Sequence, residues 1–233
     1  MSTFWRNFYL RHIILLLVTA FGLMALFHYS ALDLYLADPW YDATRGIWPH
    51  RRSIWALTLH RGLRIVLLIV ALGCWYAWWR HRHQPEGRRY LLLAGSSALI
   101  PILVASGKRF SPLHCAWDVD RYGGYAPYAD VLTRIPDGIA PGHCFPAAFL
   151  TSASWLMALG LLFYPERRRL AILLGLSAFC LALALGWVQQ MRGAHFFSHT
   201  LWSLWLSWAV IISLHYVLRL WRAPHGNCLG HPI

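Results

Sequence analysis

Leu170–Val188 reads LAILLGLSAFCLALALGWV, nineteen residues without a charge. An α-helix needs about 20 such residues to cross the roughly 30 Å hydrocarbon core of a bilayer. Working outward from this stretch, five further apolar runs of similar length appear: Ile13–Phe27, Leu63–Trp79, Tyr90–Ser106, Pro146–Phe163 and Leu201–Leu220. Trp and Tyr gather at the run ends, as in Trp75, Tyr76, Trp78 and Trp79, where amphipathic rings favour the headgroup layer. The first run is not followed by a small-residue cleavage site and reads as a retained helix. These runs predict an all-α polytopic membrane protein, a six-transmembrane-helix bundle forming a single domain over residues 1–233. Its helices are expected at 12–28, 62–79, 90–107, 146–164, 169–188 and 199–220.

The composition supports this. Of the 233 residues 58% are hydrophobic and 13% charged, against about 25% charged in soluble domains. A net charge of +12 would ordinarily suggest a nucleic-acid partner, but here the arginines have another home. Arg6 and Arg11 precede the first run, Arg80, Arg82, Arg88 and Arg89 join the second to the third, Arg167–Arg169 join the fourth to the fifth, and Arg219 and Arg222 follow the sixth. Six crossings place all of these on one face, which the positive-inside rule makes cytoplasmic together with both termini. The opposite face receives segments 28–62, 107–145 and 189–200, which hold all seven aspartates. The expected location is a bacterial inner membrane, with the informative loops in the periplasm. There, Cys115 and Cys144 are candidates for a disulfide, while Cys74 and Cys180 fall inside apolar runs and Cys228 in the tail.

Three stretches on the external side carry chemistry. Lys108 is the only lysine in the chain and stands beside Arg109 in Gly107-Lys108-Arg109-Phe110-Ser111-Pro112. An ammonium and a guanidinium side by side suit a cluster of anionic oxygens, although a pair at a helix end can also snorkel to headgroup phosphates. In Gln189-Gln190-Met191-Arg192-Gly193-Ala194-His195-Phe196-Phe197-Ser198-His199, a continuous helix would set Arg192, His195 and His199 on one face. A cationic face entering an apolar helix should line a cavity. Two histidines at this spacing can bind zinc, but a flanking arginine repels a cation, so no metal is expected. Pro141-Gly142-His143-Cys144-Phe145-Pro146-Ala147-Ala148-Phe149 opens the fourth run, with Pro146 suited to a first helical turn whose free amides attract anions. Cations, helix-start amides and imidazoles together describe a phosphate site.

These stretches resemble the signature motifs of the type-2 phosphatidic acid phosphatase superfamily, and the likeness covers nearly the whole chain in topology and loop lengths. Lys108-Arg109-Phe110-Ser111-Pro112 and Gly193-Ala194-His195 are similar to the branch whose first motif reads Lys-Arg-x-Ser-Pro and whose third contains Gly-Ala-His. The resemblance implies a six-helix bundle that needs no cofactor. His195 would be the nucleophile that forms a phosphohistidine, and Lys108 and Arg109 would hold the phosphoryl oxygens. His199 stands where the family has an orienting Asp. Gln189 stands where it has an Arg, whose charge Arg192 would replace. In the second motif, Ala148-Phe149 stand where the family has Gly-His, and phenylalanine can donate no proton. His143 and His114 are the remaining candidate acids, and Ser111 a further polar neighbour.

The function expected from these residues is that of a lipid phosphatase or phosphotransferase acting on a lipid phosphate or pyrophosphate at the periplasmic face. The alternative is a degenerate relative that binds lipid phosphate, or a membrane partner, without turnover. The oligomeric state is left open. His60, Arg61 and Arg64 at the outer end of the second run are placed near a headgroup; Asp33, Asp38 and Asp42 are taken as structural loop residues, and Asp118, Asp120 and Arg121 either form the loop's own ion pairs or help to orient an imidazole.

Overall fold

The computed structural model describes residues 2–84 and 86–221, His60 by its backbone alone. Arg222 and Cys228 therefore lie outside the described residues. Five helices are long and apolar enough to cross a membrane: α1 (Thr3–His28), α3 (Ile54–His81), α4 (Gly87–Phe110), α7 (Arg168–Met191) and α8 (Phe197–Leu220). At 24 to 28 residues each, they run roughly 36–42 Å. Their outward faces are apolar and bare, with Phe21 67%, Ile69 62% and Ile172 66% exposed. Such faces belong in lipid, and the chain is a membrane protein. A short α2 (Leu32–Ala37), which periodicity does not signal, follows α1.

The fourth apolar run departs from expectation. No helix starts at Pro146; the chain first turns helical at α5 (Thr151–Ser154), tightens to a 3₁₀ turn at Trp155–Ala158 and resumes as α6 (Leu159–Leu162). The reason lies in local polar bonds. Thr151 and Ser152 hydroxyls donate to the carbonyls of Ala148 (2.6 Å) and Phe149 (2.8 Å), and the Trp155 indole donates to the Ser152 carbonyl (2.6 Å). The backbone N–H groups of Thr151, Ser152 and Ala153 likewise bond three residues back. Side chains that seize nearby carbonyls favour this tighter i→i+3 geometry over a continuous α-helix. The amides expected at a Pro146 helix start are therefore not a helical N-terminus.

α8 occupies the middle of the bundle, packed by α1, α4 and α7. Its inner face is built of small hydroxyl residues, Ser203 and Ser207, and the Ser207 hydroxyl pairs with that of Ser154 at 2.7 Å. Small residues let helix backbones close up where lipid offers no hydrophobic drive. The approach is tightest at Gly186 of α7, where a Cβ would lie 2.2 Å from the Thr200 methyl of α8. Between these helices the chain reverses at Gly193 (φ 73°), with Gly193 and Ala194 amides bonded to the carbonyls of Gln190 (2.8 Å) and Gln189 (2.9 Å). Only glycine fits there, since a Cβ would meet the Trp48 indole at 2.4 Å.

The loop 111–150 folds back over this turn. Gly142, His143 and Cys144 donate to the carbonyls of Pro112, Ser111 and Leu113, and the Cys115–Cys144 disulfide ties the same two stretches. Arg121 reaches across to Asp38 with two bonds of 2.9 and 2.8 Å, so the acidic loops pair with each other. At the other end of the bundle, Trp5 of α1 lies under the Arg219 guanidinium of α8 (3.6 Å), and Phe4 stacks on Tyr164 (6.1 Å). The arginine-rich segments thus share one end, away from the loops.

Candidate active site

A cavity of about 530 Å³ lies among α3, α4, the 148–155 segment and α7 at the loop end. Each element delivers at least one polar group to it. α4 stops at Ser111 because Pro112 follows, and its last turn presents Lys108. α3 contributes Arg64, the end of α7 contributes Gln189, and the turn before α8 contributes His195. Pro101, also on the wall, lacks an N–H and so leaves the Ser97 carbonyl beside it without its helical donor. Ser97, Thr151 and Ser152 add hydroxyls to the wall, and the remaining lining is apolar, including Leu67, Leu68, Trp155 and Phe149.

The electrostatics favour an anion. None of the ion pairs among the described residues involves Lys108 or Arg64. Two unneutralised cations on the wall of a cavity within a membrane protein call for a negative ligand. Gln189 is buried, and its Nε2 has no partner, a further donor at the cavity wall. His195 is buried. Burial, and then the fields of His199, Lys108 and Arg192, hold its imidazole well below the usual histidine range, against a smaller opposing effect of the Cys144 backbone. It is therefore neutral at physiological pH. Its Nδ1 lies 3.5 Å from Cys144 Sγ. A disulfide sulfur carries no proton, so any bond there runs from Nδ1–H to sulfur and leaves the lone pair on Nε2.

The turn that carries His195 is held from outside by a residue that sequence reasoning left as structural. Asp33 of α2 is buried, accepts the Ser198 amide at 2.8 Å and the Ser198 hydroxyl, and also accepts the Tyr128 hydroxyl at 3.1 Å. It caps the N-terminus of α8 from another helix. Burial pushes its carboxyl up to about 6, partly offset by the bonds from Ser198 and Tyr128.

The expected residues separate into two groups. Lys108, Gln189 and His195 meet at the cavity, and His199 stacks edge-on against His195 with ring centroids 5.8 Å apart. The others lie elsewhere. Arg109 is exposed and off the cavity, because adjacent helical residues point about 100° apart. Arg192, His195 and His199 do not share a helix face: Arg192 ends α7, His195 sits in the turn and His199 is in the first turn of α8. The Arg192 guanidinium is engaged by the Arg51 carbonyl (3.3 and 3.2 Å) and by Gln189 Oε1 (2.9 Å). His143 is exposed on a left-handed backbone (φ 48°), and His114 Nε2 is spent on the Ala140 carbonyl (2.9 Å). Ser111 is buried, its hydroxyl accepting the Leu113 amide at 3.2 Å. Arg64, rather than Arg109, stands on the cavity wall.

Cys144, His195 and His199 bring their ligand atoms within 4.8 Å of one another. Cys144 is committed to the disulfide with Cys115, which leaves two imidazoles beside Lys108, fewer than the three protein ligands of a zinc centre. No protein-family model matches the chain, and no curated protein or solved structure does.

Proposed function

We propose that the chain belongs to the type-2 phosphatidic acid phosphatase superfamily and acts on a lipid pyrophosphate or phosphate through His195. The observation that carries this reading is a neutral, buried imidazole opening onto a cavity whose cations, Lys108 and Arg64, form no ion pair among the described residues. His195 Nε2 attacks the terminal phosphorus in line. The N–P bond forms as the bridging P–O bond breaks, and the electron pair leaves with the lipid. Lys108, Arg64 and the Gln189 amide hold the non-bridging oxygens. Water, or a second lipid hydroxyl, then takes the phosphoryl group and regenerates the imidazole. By the positive-inside rule the cavity faces away from the cytoplasm, the periplasm in a bacterial inner membrane.

Phe149 on the cavity wall favours a second reading. With His143 exposed and His114 bonded to a carbonyl, the cavity holds no evident general acid, whose loss costs about 10²–10⁴-fold. A pyrophosphate, whose leaving phosphate needs no proton, tolerates this; an alkyl monoester does not. The alternative is therefore a protein that holds a lipid phosphate without turning it over.

Phosphate release by the detergent-purified chain, with chelator present, tests both. The expected result is release from lipid pyrophosphates in preference to monoesters, lost in His195→Ala. Phe149→His should raise monoester turnover by up to about 10²-fold. A silent native chain whose Phe149→His variant is active would overturn turnover and establish the binding reading.

A further inference from the structure

At the arginine-rich end, opposite the His195 cavity, two hollows share the walls Leu161 and Tyr164. The first, about 470 Å³, is largely apolar and lies between α1, α6, α7 and α8, where Phe8, Gly175 and Ile211 line it together with the polar Asn7, Arg11 and His12 of α1. Its outer wall includes Ile172, 66% exposed on the lipid-facing side of α7. The second, about 140 Å³, is lined by Arg88 and Arg89 at the start of α4, Arg219 at the end of α8, and a single carboxylate, Glu166. Arg88 Nη1 is buried without a hydrogen-bond partner. None of the ion pairs among the described residues involves Arg88, Arg89 or Glu166.

We propose that these two hollows form one site for an anionic phospholipid, its headgroup phosphate among Arg88, Arg89 and Arg219 and one acyl chain in the adjoining apolar cavity. Arg88 and Arg89, neither in an ion pair among the described residues, and Arg219, held over Trp5, face the single carboxylate of Glu166, an excess of positive charge that suits a headgroup of net negative charge over a zwitterionic one. The guanidinium with a buried, unpartnered N–H needs an acceptor, and a phosphate oxygen provides one. The apolar hollow beside it opens among helices whose surroundings are hydrocarbon, so its natural occupant is a lipid chain. The site stands at the level where α4 begins and α8 ends, the depth of headgroups. It is distinct from the His195 cavity and does not depend on turnover there.

The test titrates the full detergent-purified chain with phosphatidylglycerol or phosphatidylcholine in mixed micelles, reading bound lipid by native mass spectrometry. A Lys108→Gln/His195→Ala background removes binding at the other cavity. Phosphatidylglycerol should bind about 25-fold more tightly than phosphatidylcholine. Arg88→Gln/Arg89→Gln should erase that preference, at about fivefold per arginine. Arg89→Gln alone, at an exposed position, should lower it about fivefold if the double variant does not fold. Ile172→Trp, which fills the mouth of the apolar hollow, should weaken both lipids. Equal binding of the two lipids by the parent, or an unchanged preference in the arginine variants, would overturn the headgroup assignment. Undiminished binding in Ile172→Trp would overturn the acyl-chain assignment, and equal protection by inorganic phosphate would show a site for free anions.

Discussion

Asp33 holds the turn that carries His195, through Ser198. Its carboxyl, raised to about 6 by burial, binds a proton more readily in the folded chain than at the unfolded value near 3.8. The stability it contributes is therefore fully present below pH about 4 and is lost as pH rises through about 6, by roughly 3 kcal/mol at most. The melting temperature of the purified chain should fall between pH 4 and 6.5 relative to Asp33→Asn, which keeps one acceptor oxygen for the Ser198 amide but cannot titrate. Parallel curves for the two proteins would show that Asp33 does not carry the effect. None of this was visible in the sequence, where Asp33 is one acid among several in a loop. Lys108, Gln189 and His195 were legible because their motifs sit at helix ends, where local geometry is constrained. Arg109, Arg192 and His143 were misplaced because direction around a helix or turn depends on where the helix stops. Arg64 was expected near a headgroup but not on this cavity wall, because only tertiary packing brings α3 to it.

At the scale of elements, the seam between α7 and α8 sets the position of His195. Gly186 and Thr200 meet there with no room for another atom, and Thr200 is fully buried. Gly186→Ala should destabilise the chain by about 1–3 kcal/mol through overpacking and lower His195-dependent turnover by shifting the start of α8. Adding Thr200→Gly should recover much of the melting temperature in a thermal-shift assay; no recovery would place the strain elsewhere. Five long helices were legible from apolar length alone, since that signal is strong whatever the partners. The fourth run deceived the same criterion. Its composition is apolar, but Thr151, Ser152 and Trp155 bond carbonyls three residues back, and hydropathy does not register a change in hydrogen-bond step. The departure matters for function, because this irregular stretch is what turns Ala148, Phe149, Thr151 and Ser152 toward the cavity.

The molecule as a whole is polarised. Trp5, Tyr164 and Arg219 gather at one end, while Asp38, Arg121 and the disulfide-tied loop cover the other with the His195 cavity beneath. Polybasic connections resist translocation, and disulfides persist in oxidising compartments, so both ends argue for the same orientation from independent physics. Single cysteines at exposed positions test it in a chain with Cys74, Cys180 and Cys228 changed to serine. Asp137→Cys, at a position 91% exposed in the loop, should react with a membrane-impermeant maleimide in sealed right-side-out vesicles. Arg167→Cys, exposed between α6 and α7, should react only after permeabilisation. The opposite pattern would put the His195 cavity on the cytoplasmic face, where a reducing environment opens the Cys115–Cys144 bridge beside the imidazole. A lipid phosphate reaching His195 would then have to come from the inner leaflet.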